Sequence, residues 1–398
     1  MKHFFILLVL PCFLKGQAWF RVADFPGTKR DDGVSVTVNN VVYAGSGLQE
    51  GWSSTIDFYA FYPGTLTWSL IPGMPHTTER QYACAFPGPD CFYVFGGDGV
   101  GGALNNLYKY DIQTKVWTKK NSKPGSGLIA ASCLSFGDTV VFVGGKTAGP
   151  GPLNSEVWQY VISSDAWIQK NPFPFTPTWR SSASVIHNKG YLLFGIDSLN
   201  RFRKEMYRYS LQTDSWQYMG DFPGTGRAYA GMASTGKRLV VFGGVDSLNQ
   251  LYKDVWQYND VSDLWINAPY LPSDARKGGM LSTTGDMVVY SCGISANGRL
   301  NETWIMDVPT GLPEGEDVSR LHFYPNPVQD KLTIERRGEL QPLKLHCLIR
   351  QLSSAVVVVT SELSESTELD LGEVIPGVYL LEIWDETKKL RTEKLIRL

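Results

Sequence analysis

Histidine is scarce in this chain, at five residues in 398, and no Cys-x-x-Cys pair or Cys/His cluster occurs. Structural zinc sites need such clusters, so neither a zinc finger nor a haem-attachment motif is predicted. Charge of one sign is also missing: 37 Lys and Arg stand against 39 Asp and Glu, for a net −2. That balance argues against nucleic acid or an anionic membrane surface as partner. After the N-terminus no apolar run approaches the ~20 residues of a membrane-spanning helix. No Ser/His/Asp or Cys/His arrangement is readable along the sequence. His76 and His187 are the histidines between residues 19 and 308, and they map to opposite ends of the predicted strands, which leaves no shared metal site.

Aromatics, glycine and proline are plentiful: 12 Trp, 40 Gly and 22 Pro. Trp19, Trp68, Trp117, Trp167, Trp216 and Trp265 recur at a step of about 49 residues, a period that marks one four-stranded unit per repeat. A second aromatic precedes the last five, at Tyr59, Tyr108, Trp158, Tyr207 and Trp256, and Trp304 continues that series. The fifth repeat is clearest. A small-residue strand follows Arg227, Arg238–Phe242 forms a second strand ending at Gly243-Gly244, and strands carrying Trp256 and Trp265 follow. Equivalent turns are read at Gly45-Ser46, Gly96-Gly97, Gly144-Gly145, Gly195-Ile196, Gly243-Gly244 and Gly293-Ile294. The first glycine of each pair is thereby predicted to hold a backbone position that needs φ > 0.

Six repeats are present, but the sixth lacks its last strand: position 314, where a tryptophan is due, is Glu314. Trp19 supplies it, because Asp24-Phe25-Pro26-Gly27 follows Trp19 as Asp221-Phe222-Pro223-Gly224 follows Trp216. The N-terminal strand is therefore expected to complete the sixth unit and close a ring, leaving no open sheet edge. These motifs resemble those of secreted kelch-repeat proteins of Bacteroidetes. The resemblance implies an all-β fold with a six-bladed kelch β-propeller over residues 19–308, and implies little about biochemical role.

The flanks complete the organisation. Residues 1–18 read as a signal peptide: Lys2 and His3, an apolar run from Phe4 to Leu14, then Gly16-Gln17-Ala18. Of six cysteines, Cys12 lies in that segment, and Cys84 and Cys91 flank a turn across which a disulfide is one option and two buried thiols the other. A linker is read over 309–317. Residues 318–398 carry short alternating strands of a small Ig-like β-sandwich. With Tyr324-Pro325-Asn326-Pro327, then Gly377-Val378-Tyr379 and a basic–apolar last strand, they resemble the type A C-terminal sorting domain of type IX secretion. A serine pair at Ser353-Ser354 replaces the glycine usual in that family's turn. The resemblance implies the type IX machinery as partner and a secreted or cell-surface location with possible outer-membrane association.

Candidate site residues follow from the blade arrangement. Arg30, Arg80, Arg180, Arg227 and Arg276 open the first strands, with only Leu128 breaking the series, so they are predicted to ring one mouth of the central channel. Trp52 and Trp179 map to the same face, as do Glu50, Glu79, Asp98, Asp197 and Asp246. Arginine suits bidentate recognition of carboxylate or phosphate, and exposed tryptophan suits stacking. Such a mouth would bind a glycan, peptide or protein ligand. Alternatively, the repeated arginines bind the loops that join neighbouring blades. Asp197-Ser198-Leu199 and Asp246-Ser247-Leu248 occupy equivalent loops and resemble Bacteroidetes O-glycosylation sites, or are polar turns. No cofactor or metal is expected. The rivals are a carbohydrate-active kelch enzyme resembling N-acetylneuraminate epimerase/mutarotase, for which Glu79 beside Arg80 is the local acid–base candidate, and a structural surface component.

Overall fold

The computed structural model describes residues 19–149, 151–307, 321–336, 345–351, 357–364, 366–384 and 389–397. The leader, the linker and the Leu352-Ser353-Ser354 turn lie outside the described residues. Contacts divide the chain into two compact units, one ending at Val308 and one beginning at Pro309. The described residues contain strands and turns and no helix.

The first unit contains six four-stranded antiparallel sheets. Sheet 1 comprises Val34–Val38, Val41–Gly45, Phe58–Tyr62 and Thr67–Ile71 in sequence order. Sheets 2 to 5 repeat that order, starting at Cys84, Ser132, Ser182 and Gly231. Sheet 6 takes three strands from Met280–Thr284, Met287–Ser291 and Thr303–Asp307, and Trp19–Arg21 pairs against the last of them, with Trp19 opposite Met306.

The tryptophan period has a packing cause. Five of the six fourth-strand indoles lie beside an aromatic directly across on the third strand: Phe61–Trp68, Tyr110–Trp117, Tyr160–Trp167, Tyr209–Trp216 and Tyr258–Trp265, with ring centroids 4.8–5.1 Å apart; Trp19 lies opposite Met306. The directly opposed partner is thus the residue two positions beyond the aromatic singled out from sequence. The indole N–H also ties its sheet to the preceding one. Trp117 donates to Pro72 O at 2.8 Å, Trp167 to Asn121 O at 2.8 Å and Trp19 to Pro269 O at 2.9 Å. Three third-strand tyrosines, Tyr160, Tyr209 and Tyr258, donate their hydroxyls to Asp165, Asp214 and Asp263 in the hairpin below, which satisfies buried phenols that would otherwise cost stability.

Two cyclic sets of backbone hydrogen bonds join neighbouring sheets at one end. In the inner set Tyr82 N donates to Asp32 O, Ala130 to Tyr82, Arg180 to Ala130, Tyr229 to Arg180, Gly278 to Tyr229 and Asp32 to Gly278, at 2.7–3.2 Å. In the outer set Gly47, Gly97, Gly145, Gly195, Gly244 and Gly293 donate to Arg80, Leu128, Thr178, Arg227, Arg276 and Arg30 carbonyls, at 2.9–3.0 Å. Both sets return to their starting sheet.

The outer set corrects the predicted glycine register. The turn pairs are Ser46-Gly47, Phe194-Gly195 and Cys292-Gly293 where the sequence alignment read Gly45-Ser46, Gly195-Ile196 and Gly293-Ile294. The first position has φ of 59–72° and accepts Ser, Phe and Cys, whereas the second has φ of 85–100° and is glycine in all six. A Cβ on Gly97 would fall 2.5 Å from Gln81 O, so the invariant glycine is the one whose backbone presses on the next strand.

Cys84 and Cys91 do not face each other, since Cys84 lies opposite Phe95 and Cys91 opposite Gly88, and both are free thiols. Cys84 Sγ instead donates to Ala131 O in the next sheet at 3.0 Å. Ser132 and Ser182 make the equivalent bonds to Ser181 O and Ala230 O.

In the second unit Leu321–Tyr324, Lys331–Arg336 and Ser366–Asp370 form one sheet, and Val357–Leu363, Leu345–Gln351, Gly377–Trp384 and Lys389–Arg397 the other. Leu332, Ile334, Ile349, Leu369, Tyr379 and Ile383 from both sheets share one core. Pro325, Asn326 and Pro327 are exposed, yet the loop is fastened to the last strand: Ile396 N donates to Asn326 Oδ1 at 3.0 Å and Val328 N to Ile396 O at 2.8 Å. Gly377 and Val378 open a strand, and Tyr379 donates its hydroxyl to Ile375 O at 2.6 Å.

Gly97→Ala places a Cβ against Gln81 O at a left-handed φ, so thermal or denaturant unfolding should show a loss of about 2 kcal/mol or more.

Candidate functional site

Strand register sorts the five arginines into two kinds. Counting back four residues from the start of each first strand gives Arg30, Arg80, Leu128, Thr178, Arg227 and Arg276. Arg180 is not in that series. It stands two residues further on, where the other sheets place Asp32, Tyr82, Ala130, Tyr229 and Gly278. All six of these inner positions have left-handed φ, 51–63°. The predicted ring of five equivalent arginines is therefore four anchors and one different residue.

The four anchors are buried, at 0–1% exposure, so they do not line an open mouth. Each guanidinium turns back into its own sheet. Arg30 makes a bidentate pair with Asp57 at 2.7 Å and donates to Ser46 O. Arg227 does the same with Asp254 and Gly243 O. Arg276 pairs with Glu302 at 2.7 Å and reaches Cys292 O. Arg80 meets Asn106 at 2.9 Å in place of an acid. Burial pushes its guanidinium down to about 10 with no carboxylate paired against it. At Glu302 burial acts to raise the carboxyl, but hydrogen bonds from Ser273, Arg276 and Trp304 outweigh it and hold the group at about 2. Within their own sheets, these arginines bind the loop between second and third strands; their backbone carbonyls take the glycine N–H of the preceding sheet.

Arg180 lies over a cavity of about 140 Å³ lined by Asp32, Tyr82, Ala130, Ser181, Tyr229 and Gly278 among others. Its guanidinium is held by rings rather than by an acid: 3.6 Å from the Trp179 centroid, 4.0 Å from Tyr229 and 4.9 Å from Tyr82. Nη2 donates to the Tyr82 hydroxyl at 3.1 Å, and the buried Nε has no partner. Burial lowers its affinity for the proton, and the charges of Tyr82 and Asp32 only partly offset this. Asp32 is a poor counter-ion, because burial and the adjacent Asp31 raise its carboxyl well above the usual range. Asp31 is taken by Arg299 at 2.6 Å, and Arg299 lies 5.1 Å from the Trp52 ring.

Trp179 is brought to this cavity, half-buried under Arg180, whereas Trp52 is exposed at a loop tip against Arg299 and does not line it. The remaining acids are not assembled there. Asp197 and Asp246 accept backbone N–H groups of Leu199 and Arg201, and of Leu248 and Gln250, closing their own turns. Glu79 is half-buried and accepts Thr77 N at 3.4 Å, while Arg80 is fully buried beside Asn106, so the two do not form an exposed acid–base pair. Glu50 is exposed and Asp98 half-buried. His187 bonds the buried Asp260 at 2.9 Å. Among the described residues no His, Cys, Asp and Glu group of three or more could hold a metal ion. Sequence reading missed Tyr82, Tyr229, Lys146 and Lys277, whose signal is positional: each shares a register position with Arg180, Trp179 or the loop opposite Trp179.

Comparison with known proteins fits this geometry. Residues 32–224 match the KLHDC2/KLHL20/DRC7 Kelch-repeats domain, residues 226–272 the Kelch motif, and residues 322–397 the Secretion system C-terminal sorting domain. The chain is similar to Kelch-like protein terF of Aspergillus terreus, 24% identical over 188 residues, covering 44% of this chain and 40% of that protein. Kelch domain-containing protein 1 of Mus musculus is 28% identical over 153 residues, covering 36% and 37%. Kelch-like protein 36 of Rattus norvegicus is 23% identical over 199 residues, covering 48% and 32%. The chain thus spans well under half the length of these relatives.

Arg227→Ala leaves Asp254 without its buried partner and should cost about 3–5 kcal/mol in denaturant unfolding, whereas Arg180→Ala, which breaks no ion pair, should cost under half of that. Glu302 is held below an ordinary glutamate carboxyl near 4.5, so the stability it contributes is complete above that pH. It is lost as pH falls toward 2. Acid unfolding followed by circular dichroism should show Glu302→Gln less stable at neutral pH and converging on wild type by about pH 2.

Proposed function

Since the chain carries kelch repeats and a secretion-system C-terminal sorting domain, a tail that implies a Bacteroidetes origin and export by the type IX route, we propose that it works outside the cell as a ligand-binding module. Residues 19–308 then act as a six-bladed kelch β-propeller closed by the N-terminal strand. The Ig-like tail engages the type IX machinery and delivers the propeller to the medium or the outer face of the outer membrane. The ligand enters the mouth on the propeller axis and presents an anionic group to Arg180.

Arg180 carries this function. Where the recurring arginines are locked into buried partners, Arg180 sits over the axial cavity with three aromatic rings around it and no ion pair. A guanidinium fixed by rings is pre-oriented, so a carboxylate, sulfate or phosphate meets a rigid donor and loses little entropy on binding. Partial exclusion of water strengthens the charge-assisted bond.

The test is an array of acidic glycans and acidic peptides read at two ionic strengths with wild type and Arg180→Gln. Bound probes should weaken at higher salt and fall at least about tenfold in Arg180→Gln. Probes held equally by both proteins would place the ligand site elsewhere.

A further inference from the structure

Arg180 is the middle member of a longer series. Lys146 Nζ lies 3.7 Å from the Trp179 centroid, the ring that also carries Arg180 at 3.6 Å. Lys277 Nζ lies 4.8 Å from Tyr229, the ring that carries Arg180 at 4.0 Å. Cations and rings therefore alternate along one side of the mouth: Lys146, Trp179, Arg180, Tyr229, Lys277. Among the described residues none of the three cations has an ion-pair partner. Burial and the charge of Arg180 both lower the Lys146 ammonium, which is the cost of gathering like charges without counter-ions. A ligand with one anionic group would satisfy Arg180 and leave both lysines as they are. Two or more anionic groups, spaced along a chain, would satisfy the series.

Across the mouth, on the first sheet, stands Trp52. It is 79% exposed and held at φ 63°, the turn conformation that Asn200 and Asn249 adopt in the equivalent loops of the fourth and fifth sheets. A continuous set of contacts links it to the cations: Trp52 to Arg299, Arg299 to Asp31, then Asp32, Tyr82 and Arg180. Its exposed face is flat and apolar, and its neighbour is the Arg299 guanidinium. The cavity beneath Arg180 is small, about 140 Å³, with Ala130 and Gly278 at the inner positions that would otherwise fill it, so it admits a single residue of a chain rather than a folded element.

We propose that the ligand of this mouth is an acidic oligosaccharide with a carboxylate on successive residues, one sugar seated over Arg180 with its neighbours reaching Lys146 or Lys277, and the chain crossing to stack on Trp52. This rests on the mouth being the binding site, as proposed above. The hydroxyl-rich, anion-bearing chain matches both halves of the surface, whereas an acidic peptide uses the cations and has no need of an exposed indole.

Calorimetric titration of the full-length protein with galacturonate, digalacturonate, trigalacturonate, maltotriose and triglutamate separates the cases. Affinity should rise at least about tenfold from monomer to trimer, maltotriose should not bind, and triglutamate should bind more weakly than trigalacturonate. The double variant K146Q/K277Q should weaken the trimer by a larger factor than it weakens the monomer, and an equal factor for both would overturn the role of the lysines. Trp52→Ala should weaken the trimer about three- to tenfold, and because Trp52 is exposed its loss leaves the fold intact. A trimer no tighter than the monomer, triglutamate binding as well as trigalacturonate, or an unchanged Trp52→Ala would overturn the oligosaccharide assignment while loss of binding in Arg180→Gln kept the mouth. Binding that Arg180→Gln leaves unchanged, or no binding of any acidic probe, would overturn the mouth itself and the assignment with it.

Discussion

Two cyclic sets of backbone hydrogen bonds between neighbouring sheets are the constraint on which the rest of this molecule depends. The outer set requires a glycine N–H from one sheet and a carbonyl from the next, and that carbonyl belongs to Arg30, Arg80, Leu128, Thr178, Arg227 or Arg276. Four of these residues send their side chains back to grip the loop that carries their own sheet's glycine. Backbone and side chain thus hold each loop from both directions. The arginines recur because the junction recurs, and their burial follows from the same geometry, three of them in ion pairs and Arg80 against Asn106.

The inner set has a different consequence. Its residues are held at left-handed φ so that N–H and C=O point around the axis. The backbone need is met at all six positions by residues as unlike as Asp32, Tyr82, Ala130, Arg180, Tyr229 and Gly278. The side chains at these positions are consequently available for recognition. An asymmetric site on a near-symmetric scaffold arises in this way: the backbone repeats, and six side chains on the axis do not.

Much of the fold was legible in the sequence, because its causes are local and periodic. The tryptophan step reports one indole per sheet, packed on the third strand and, at Trp19, Trp68, Trp117 and Trp167, tied by its N–H to the preceding sheet. The glycine pairs were found but set one residue off in three of six. String matching favours the glycine it sees, while the backbone selects the position with φ near 95°, where any Cβ would strike the next strand. The candidate site was read less well. Arg180 looked like a fifth copy of Arg227 because an arginine opens the strand in both, but strand pairing shifts it by two residues and moves it from anchor to axis. Of the two options the sequence left for Cys84 and Cys91, the structure has two buried thiols, since hairpin register sets Cys84 opposite Phe95.

What the sequence determined by itself was the repeat, its strand content, the sharing of one unit between the two ends of residues 19–308, and a distinct tail carrying Tyr324-Pro325-Asn326-Pro327. These depend on spacing and local propensity, which a linear string preserves. Only the tertiary structure decided which arginines are buried against loops and which one lies over the cavity between aromatic rings, and that Lys146, Trp179, Arg180, Tyr229 and Lys277 form one series. Those five residues come from four different sheets and meet only because neighbouring sheets are joined side by side, so no interval in the sequence records their contact.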